Sequence, residues 1–175
     1  ALVRPYRVTN FFLDEEAVGD LREERVAVLP FENQSWDGAA GLRATNQFNL
    51  QLGKLGYFTL LERLRIEELF EEQDLDRERI DQETAVKIGK MLGAHGVVLG
   101  TVTEYEPGRV GLGVRLVSIE KGTQIWQAQD TFDGHEPSIQ ALVQEDRERE
   151  KLTRDPDYLC QILCQELVRT LEGSP

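Results

Sequence analysis

The stretch that decides the fold runs Gly93-Ala94-His95-Gly96-Val97-Val98-Leu99-Gly100-Thr101-Val102-Thr103-Glu104-Tyr105. Its β-branched and aliphatic residues follow one another almost without interruption, which is typical of a strand buried on both faces. We therefore predict that this stretch is the central strand of a sheet. Gly96 and Gly100 have no side chain to pack, and a glycine inside a strand often marks a close approach by another element. We expect that element to be a helix lying across the sheet.

Strands and helices alternate in the chain that precedes this central strand. The predicted elements are a strand over residues 25–31, a helix over about 37–55, a strand over 57–61, helical periodicity after Glu62 and a helix from about Asp81. Asp81 suits the N-cap of the last helix, and Gly93 suits the left-handed residue that ends it. Each of these helices can therefore cover part of the sheet.

Short turns join the elements that follow the central strand. Val110, Leu112, Val114 and Leu116 alternate with other residues, and a further strand begins at Gln124. Because short turns join antiparallel neighbours, residues 97–132 are predicted to form an antiparallel meander. The last predicted helix, over 155–171, carries a wide apolar stripe: Leu159, Cys160, Leu163, Cys164, Leu167, Val168 and Leu171. Such a stripe predicts that this helix packs on the sheet.

These patterns predict one α/β (α+β-like) domain of the order β-α-β-α-α-β-β-β-α-α, because 175 residues suffice for a single core. We expect a mixed sheet of about five strands with helices on its faces. Residues 1–24 form an N-terminal arm, residues 25–133 the α/β core, and residues 134–175 a helical segment packed on that core. The arm is too apolar for a solvated tail, so we expect Tyr6, Phe11 and Phe12 to contact a partner or a second copy.

Composition excludes several classes of partner. The formal net charge is -12, so phosphate groups would be repelled by most of the surface. We therefore expect neither a nucleic-acid partner nor direct adsorption to an anionic lipid surface. No run of residues approaches the roughly 20 apolar residues that cross a bilayer as a helix.

Candidate chemistry is sparse. His95 and His135 are the only histidines, and Cys160 and Cys164 are the only cysteines. A zinc site drawn from these four residues has the right atom types, but the spacing of the cysteines is not that of the usual short knuckle. Core thiols and structural histidines are favoured instead, with a disulfide as the less favoured alternative. We assign no catalytic residue, no metal and no cofactor.

Several blocks of the chain resemble the CsgG family. They are residues 26–31, the segment from Phe58 to Arg63 and its following helix, residues 85–105 with IGKMLGAHGVVLGTVTEY, and VRLVSIEKGTQIW at residues 114–126. The family includes the outer-membrane lipoprotein that forms the curli secretion channel, together with related periplasmic lipoproteins. The resemblance covers about residues 25–126. It implies a module similar to anticodon-binding domains, exported and lipid-anchored just before Ala1.

The departures from that family concern its pore. The channel protein crosses the membrane with two hairpins per subunit, and a transmembrane strand needs about 9 to 11 residues. At the first location this chain has only Glu106-Pro107-Gly108-Arg109, and at the second it has residues 134–157, which are dense in charge. We therefore expect the soluble module without the pore.

The function implied by the resemblance is that of a non-enzymatic exported lipoprotein, periplasmic and anchored to the outer membrane. It would bind protein partners in envelope assembly or secretion, touching the membrane only through its lipid anchor. Two alternatives stay open. One is an activator or regulator of an envelope enzyme such as a peptidoglycan synthase, and the other is a small-ligand-binding domain or enzyme whose site forms only in three dimensions. A homo-oligomer is compatible with each.

Overall fold

A computed structural model describes residues 2–173. The strands are β1 (Phe11–Leu13), β2 (Arg25–Val28), β3 (Glu32–Asn33), β4 (Thr59–Leu60), β5 (Gly96–Glu106), β6 (Arg109–Ser118) and β7 (Gln124–Asp133). The helices are α1 (Glu15–Asp20), α2 (Ala40–Leu55), α3 (Arg63–Glu72), α4 (Gln82–Leu92), α5 (Pro137–Gln140), α6 (Asp146–Arg154) and α7 (Pro156–Arg169), followed by a 3-10 turn over Thr170–Glu172. Ala1, the lipid anchor expected upstream of it and residues 174–175 lie outside the described part of the chain.

All seven strands form one mixed sheet in the order β1-β7-β6-β5-β2-β4, and β3 pairs with β5 beyond the end of β2. β2 runs parallel to β4 and β5, whereas β5, β6 and β7 are antiparallel. The predicted mixed sheet and meander are therefore confirmed. The sheet has seven strands rather than about five, because β1 and β3 also pair. These strands have three and two residues, too few for a periodic pattern.

One face of the sheet, called here the inner face, is covered by α1, α2 and α7. Phe48 of α2 and Leu163 of α7 are fully buried there with Trp126 of β7. The predicted packing of the last helix is confirmed, since Leu159, Leu163, Leu167 and Leu171 are all buried. The inner face therefore holds the larger core.

The opposite face, called the outer face, is covered only in part. α3 and α4 pack Ile66, Phe70 and Ile88 on β2 and on the first half of β5. Gly89 of α4 lets that helix approach closely, because a Cβ at position 89 would lie 2.9 Å from Ile119 Cγ1. At Gly100 of β5, where a close approach by a helix was predicted, the neighbour is instead the Phe31 ring. A Cβ at Gly100 would lie 2.6 Å from the Phe31 ring.

The two locations of the family's pore hairpins have other structures here. β5 and β6 are joined directly by Pro107 and Gly108, and Gly108 has a φ of +82° that suits a tight turn. Residues 134–157 contain α5 and α6 and the start of α7. α6 is mostly exposed, and its Leu152 is fully buried. Within residues 2–173, no helix combines the length and the apolarity that a membrane span requires.

Candidate functional site

The outer face of the meander carries a row of side chains that α3 and α4 cover only at its Leu99 end. Phe12 of β1 lies opposite Gln127 of β7, and Gln127 lies opposite Arg115 of β6. Arg115 in turn lies opposite Leu99 of β5. Because successive residues of a strand point to opposite faces, these four side chains share one face of the sheet. Phe12 is 51% exposed at the edge of this row.

A second row runs parallel to the first. Gln129 lies opposite Gly113, Gly113 opposite Thr101, and Thr101 opposite Glu32 of β3. Gly113 leaves space between its neighbours, since the atom nearest to a Cβ built there is Gln129 Cγ at 3.7 Å. The two rows thus surround a shallow depression above the sheet.

This depression, called here the sheet groove, has a volume of about 430 Å³. Its lining residues are Pro30, Glu32, Gln34, Arg77, Ile80, Leu99, Gly100, Thr101, Thr103, Gly113, Val114, Arg115, Gln124, Gln127 and Gln129. Amides and hydroxyls both donate and accept hydrogen bonds, so the groove can bind polar groups of either kind. Glu32 is the one carboxylate in this lining, which contains no histidine, serine or cysteine. The groove therefore offers groups that can bind a ligand through hydrogen bonds.

The three predicted contact residues lie in different environments. The Tyr6 hydroxyl donates to Asp130 Oδ2 at 2.7 Å, and its ring packs edge-on against Phe132 at 5.3 Å. Burial, reinforced by the bond to Asp130, raises the pKa of Tyr6 to about 12. Phe11 lies opposite Ala128 and packs on the inner core, whereas Phe12 lies on the outer face. Of the three, only Phe12 belongs to a row of side chains that borders the sheet groove.

The histidines and cysteines do not converge on a site. His95 immediately precedes β5 and its Nε2 lies 3.3 Å from Glu24 Oε2. His135 follows β7 and lies beside Gly108, at the opposite end of the β5–β6 hairpin. Cys160 and Cys164 are free and buried, with their Sγ atoms 4.0 Å apart, and burial raises the pKa of Cys164 far above its ordinary value. In the described part of the chain, no three His, Cys, Asp or Glu side chains lie in a metal-binding arrangement.

The prediction from sequence did not identify the sheet groove. A signal was present, because Thr101 and Thr103 alternate with buried residues in β5, as Gln127 and Gln129 do in β7. Alternation of polar and apolar residues indicates a strand with one face on the core and the other uncovered. Only the register of the strands shows that these polar side chains share one face with Arg115.

The fold has known relatives among solved structures. Lipoprotein GNA1162 from Neisseria meningitidis superposes with a TM-score of 0.61 at 21% identity, over 86% of this chain and 98% of that one. A PelC dodecamer from Paraburkholderia phytofirmans gives 0.54 at 15% identity, over 89% and 91% of the two chains. The LpoB C-terminal domain from Salmonella enterica gives 0.54 at 16% identity, over 68% and 94%. At these identities the similarity shows the fold alone.

Sequence comparison identifies the family. No curated protein sequence matches the chain. The family model described as curli production assembly/transport component CsgG matches residues 16–133, which is more than half of the chain. This match contains α1 to α4 and β2 to β7, including every strand that lines the sheet groove. The chain therefore belongs to the CsgG family.

Proposed function

We propose that this protein is a non-enzymatic exported lipoprotein that binds protein partners in envelope assembly or secretion, without forming a pore itself. The observation that carries the proposal is the sheet groove, where the outer face of β7 and of the adjoining parts of β5 and β6 is left uncovered. The inner face is covered by α2 and α7, whereas an antiparallel sheet can leave its other face in solvent, where a partner has access to it. The sheet groove and its edge present amides, hydroxyls, the guanidinium groups of Arg77 and Arg115, and the ring of Phe12.

The composition of this surface suits a protein partner. Arginine and aromatic side chains are enriched in protein interfaces, and a half-exposed ring at the edge of a polar groove can act as an anchor. Phe12 supplies the ring and Arg115 the guanidinium, with Gln127 between them. Glutamine and threonine side chains supply hydrogen bonds around this anchor, where they can pair with a partner's backbone.

The relatives support the location in the envelope and the class of function. The matching family is named for an assembly and transport component, and GNA1162 is described as a lipoprotein. PelC is described as a dodecamer, which supports a homo-oligomer as a further mode of assembly for this chain. We propose a periplasmic location with a lipid anchor in the outer membrane. The tight turn at Pro107–Gly108 and the helices within 134–157 favour a module without pore hairpins.

Site-specific photocrosslinking in the cell of origin tests this function. A photoreactive residue is placed at Gln129 in the sheet groove of the full-length protein, and at exposed Arg147 of α6 as the matched control. We expect discrete protein adducts from position 129, and weaker adducts when Phe12→Ala is combined with it. Equal adducts from positions 129 and 147, or none from position 129, would contradict the proposal.

A further inference from the structure

A second uncovered surface lies on the other side of the molecule, along α2. Trp36 is 101% exposed, Leu42 63% and Leu50 51%, and all three lie within fifteen residues of the sequence. Ala44 and Phe48 of α2 are buried on the inner face of the sheet. At 3.6 residues per turn, Leu42 and Leu50 therefore point away from the sheet, about 12 Å apart along the helix. We call Trp36, Leu42 and Leu50 the α2 surface.

The loop that carries Trp36 is held in place by its polar neighbours. Asn33 Oδ1 accepts hydrogen bonds from Ser35 N at 2.9 Å and from Ser35 Oγ at 2.6 Å. Asn33 Nδ2 donates to the backbone oxygen of Asp37 at 2.7 Å, and Asp37 Oδ1 accepts from Ala39 N at 2.9 Å. The backbone on both sides of Trp36 is thus fixed while the indole is in solvent. Because this backbone is already ordered, less conformational entropy is lost when the indole binds a partner, which favours Trp36 as an anchor.

The charges beside the α2 surface are unbalanced. Arg43 Nη1 lies 3.5 Å from Asp37 Oδ2 and 3.9 Å from Asp157 Oδ1, so two carboxylates share one guanidinium. Asp157 also accepts a hydrogen bond from Tyr105. A depression of about 330 Å³ separates Arg43 from Leu50 and is lined by both residues and by Asp157. A local excess of one negative charge, on a chain of net charge -12, favours a basic occupant.

We propose that the α2 surface binds an amphipathic helix of a different protein, one that carries lysine or arginine beside its apolar face. Apolar side chains of that helix pack between Leu42 and Leu50, as ridges of one helix pack into grooves of another. Its basic residues lie against Asp37 and Asp157. A second copy of this chain is disfavoured as the occupant because it would bring a further charge of -12.

This inference goes beyond the proposed function, because it adds a second binding surface. The α2 surface and the sheet groove lie on opposite sides of the sheet, so the chain can hold two partners at once. The domain would then connect its partners, and either surface can be disabled without the other.

Fluorescence of Trp36 gives the test, since the other tryptophan, Trp126, is fully buried. The full chain is titrated with a synthetic 18-residue peptide of leucine and lysine in an amphipathic helical pattern. A peptide with glutamate in place of every lysine is the matched control. We expect saturable binding of the lysine peptide with a blue shift of the Trp36 emission, and at least tenfold weaker binding of the glutamate peptide.

Variants locate the binding. Leu50→Ser should weaken binding of the lysine peptide at least tenfold, whereas Leu64→Ser, at a leucine of α3 that is also exposed, should leave the affinity unchanged. Both side chains are exposed, so both variants should unfold as the wild type does. Equal losses in the two variants, or none in Leu50→Ser, would overturn the proposal. Sedimentation equilibrium that showed a dimer dissociated by Leu50→Ser would also overturn it, by making a second copy the occupant.

Discussion

At the scale of single residues, two glycines of the sheet have different roles. Gly100 of β5 faces the Phe31 ring, and a Cβ there would lie 2.6 Å from ring atoms. Gly113 of β6 faces the sheet groove, where the nearest atom would be 3.7 Å away. The first glycine is required for packing, and the second leaves room for a ligand.

Gly100→Ala should therefore destabilise the protein. Overpacking of a core costs about 1 to 3 kcal/mol, because the neighbouring ring must move. The matched variant Gly113→Ala should change the free energy of unfolding by less than about 0.5 kcal/mol, as substitutions at open positions usually do. Urea denaturation of both variants measures the difference. Equal free energies of unfolding for the two variants would contradict the packing of Phe31 on Gly100.

Glu166 of α7 is a buried carboxylate whose ionisation affects the stability of the fold. Its side chain is 9% exposed, and Arg169 Nε lies 3.4 Å from Glu166 Oε2. Burial raises the pKa of Glu166 above its ordinary value of 4.5, and Arg169 opposes this shift only in part. The folded chain therefore binds this proton more tightly than the unfolded chain does. Glu166 adds stability as the pH falls through its folded pKa toward 4.5, and this stability is lost as the pH rises.

Glu166→Gln removes this ionisation and keeps the shape of the side chain. We expect the variant to be more stable than the wild type at pH 7.5, with a difference that shrinks as the pH approaches 4.5. Urea denaturation at several pH values gives the comparison, and Glu150→Gln on exposed α6 is the control variant. A variant less stable than the wild type at pH 7.5, with a deficit that shrinks as the pH falls, would show that the pKa of Glu166 is depressed by Arg169 instead.

Some of these residue-scale features could be predicted from sequence. Asp81 caps α4 and Gly93 ends it in the left-handed conformation, as expected, because caps depend on local hydrogen bonds. The burial of Glu166 and the exposure of Trp36 could not be predicted. Each depends on neighbours from distant parts of the chain, which a local pattern does not specify.

At the scale of elements, α7 is a helix whose apolar side forms part of the core. Leu163 is fully buried against the inner face, where α7 packs on β6 and β7 beside α2. Its 3.6-residue stripe was sufficient to predict this packing, because a helix with so wide an apolar side must bury it.

Leu163→Ala should lower the free energy of unfolding by about 2 to 5 kcal/mol, through the loss of buried surface and the cavity that remains. The control is Leu64→Ala, at an exposed position of α3, which should have an effect below about 0.5 kcal/mol. Thermal unfolding of the two variants would separate these effects. An unchanged midpoint for Leu163→Ala would refute the assignment of α7 to the core.

The two phenylalanines of β1 lie on different faces of the sheet. From sequence, both are predicted to contact a partner or a second copy, but β1 places Phe11 toward the inner core and Phe12 toward the outer face. We now expect Phe11→Ala to lower the unfolding midpoint, and Phe12→Ala to weaken partner binding without lowering it. Calorimetry measures the unfolding midpoint of each variant, and the crosslinking yield at position 129 measures partner binding. A lower midpoint in Phe12→Ala alone would reverse the assignment.

The elements differ in how well sequence patterns identify them. The strands β5, β6 and β7 are each ten or eleven residues long, so their periodicity and short turns identify the meander. β1 and β3 are held by pairing with β7 and β5, which lie far along the chain. Pairing of such short segments is a long-range property, and for that reason the outline of the sheet groove was missing from the prediction.

At the scale of the whole molecule, helices cover the two faces of the sheet unequally. The inner face is covered along its length, whereas the outer face is covered only over β2, the first half of β5 and the adjoining end of β6. The net charge of -12 keeps anionic surfaces away from the whole molecule. We therefore propose that the function lies on surfaces that contact proteins, first among them the sheet groove.

The most direct test of that claim is the affinity of the purified chain for the partner captured at position 129, measured by isothermal calorimetry. Gly113→Phe fills the sheet groove from an open position of β6, and Arg147→Phe adds the same ring to exposed α6 as the control. We predict at least tenfold weaker binding for Gly113→Phe and wild-type affinity for Arg147→Phe, with both variants folded. Wild-type affinity in a folded Gly113→Phe variant would contradict it.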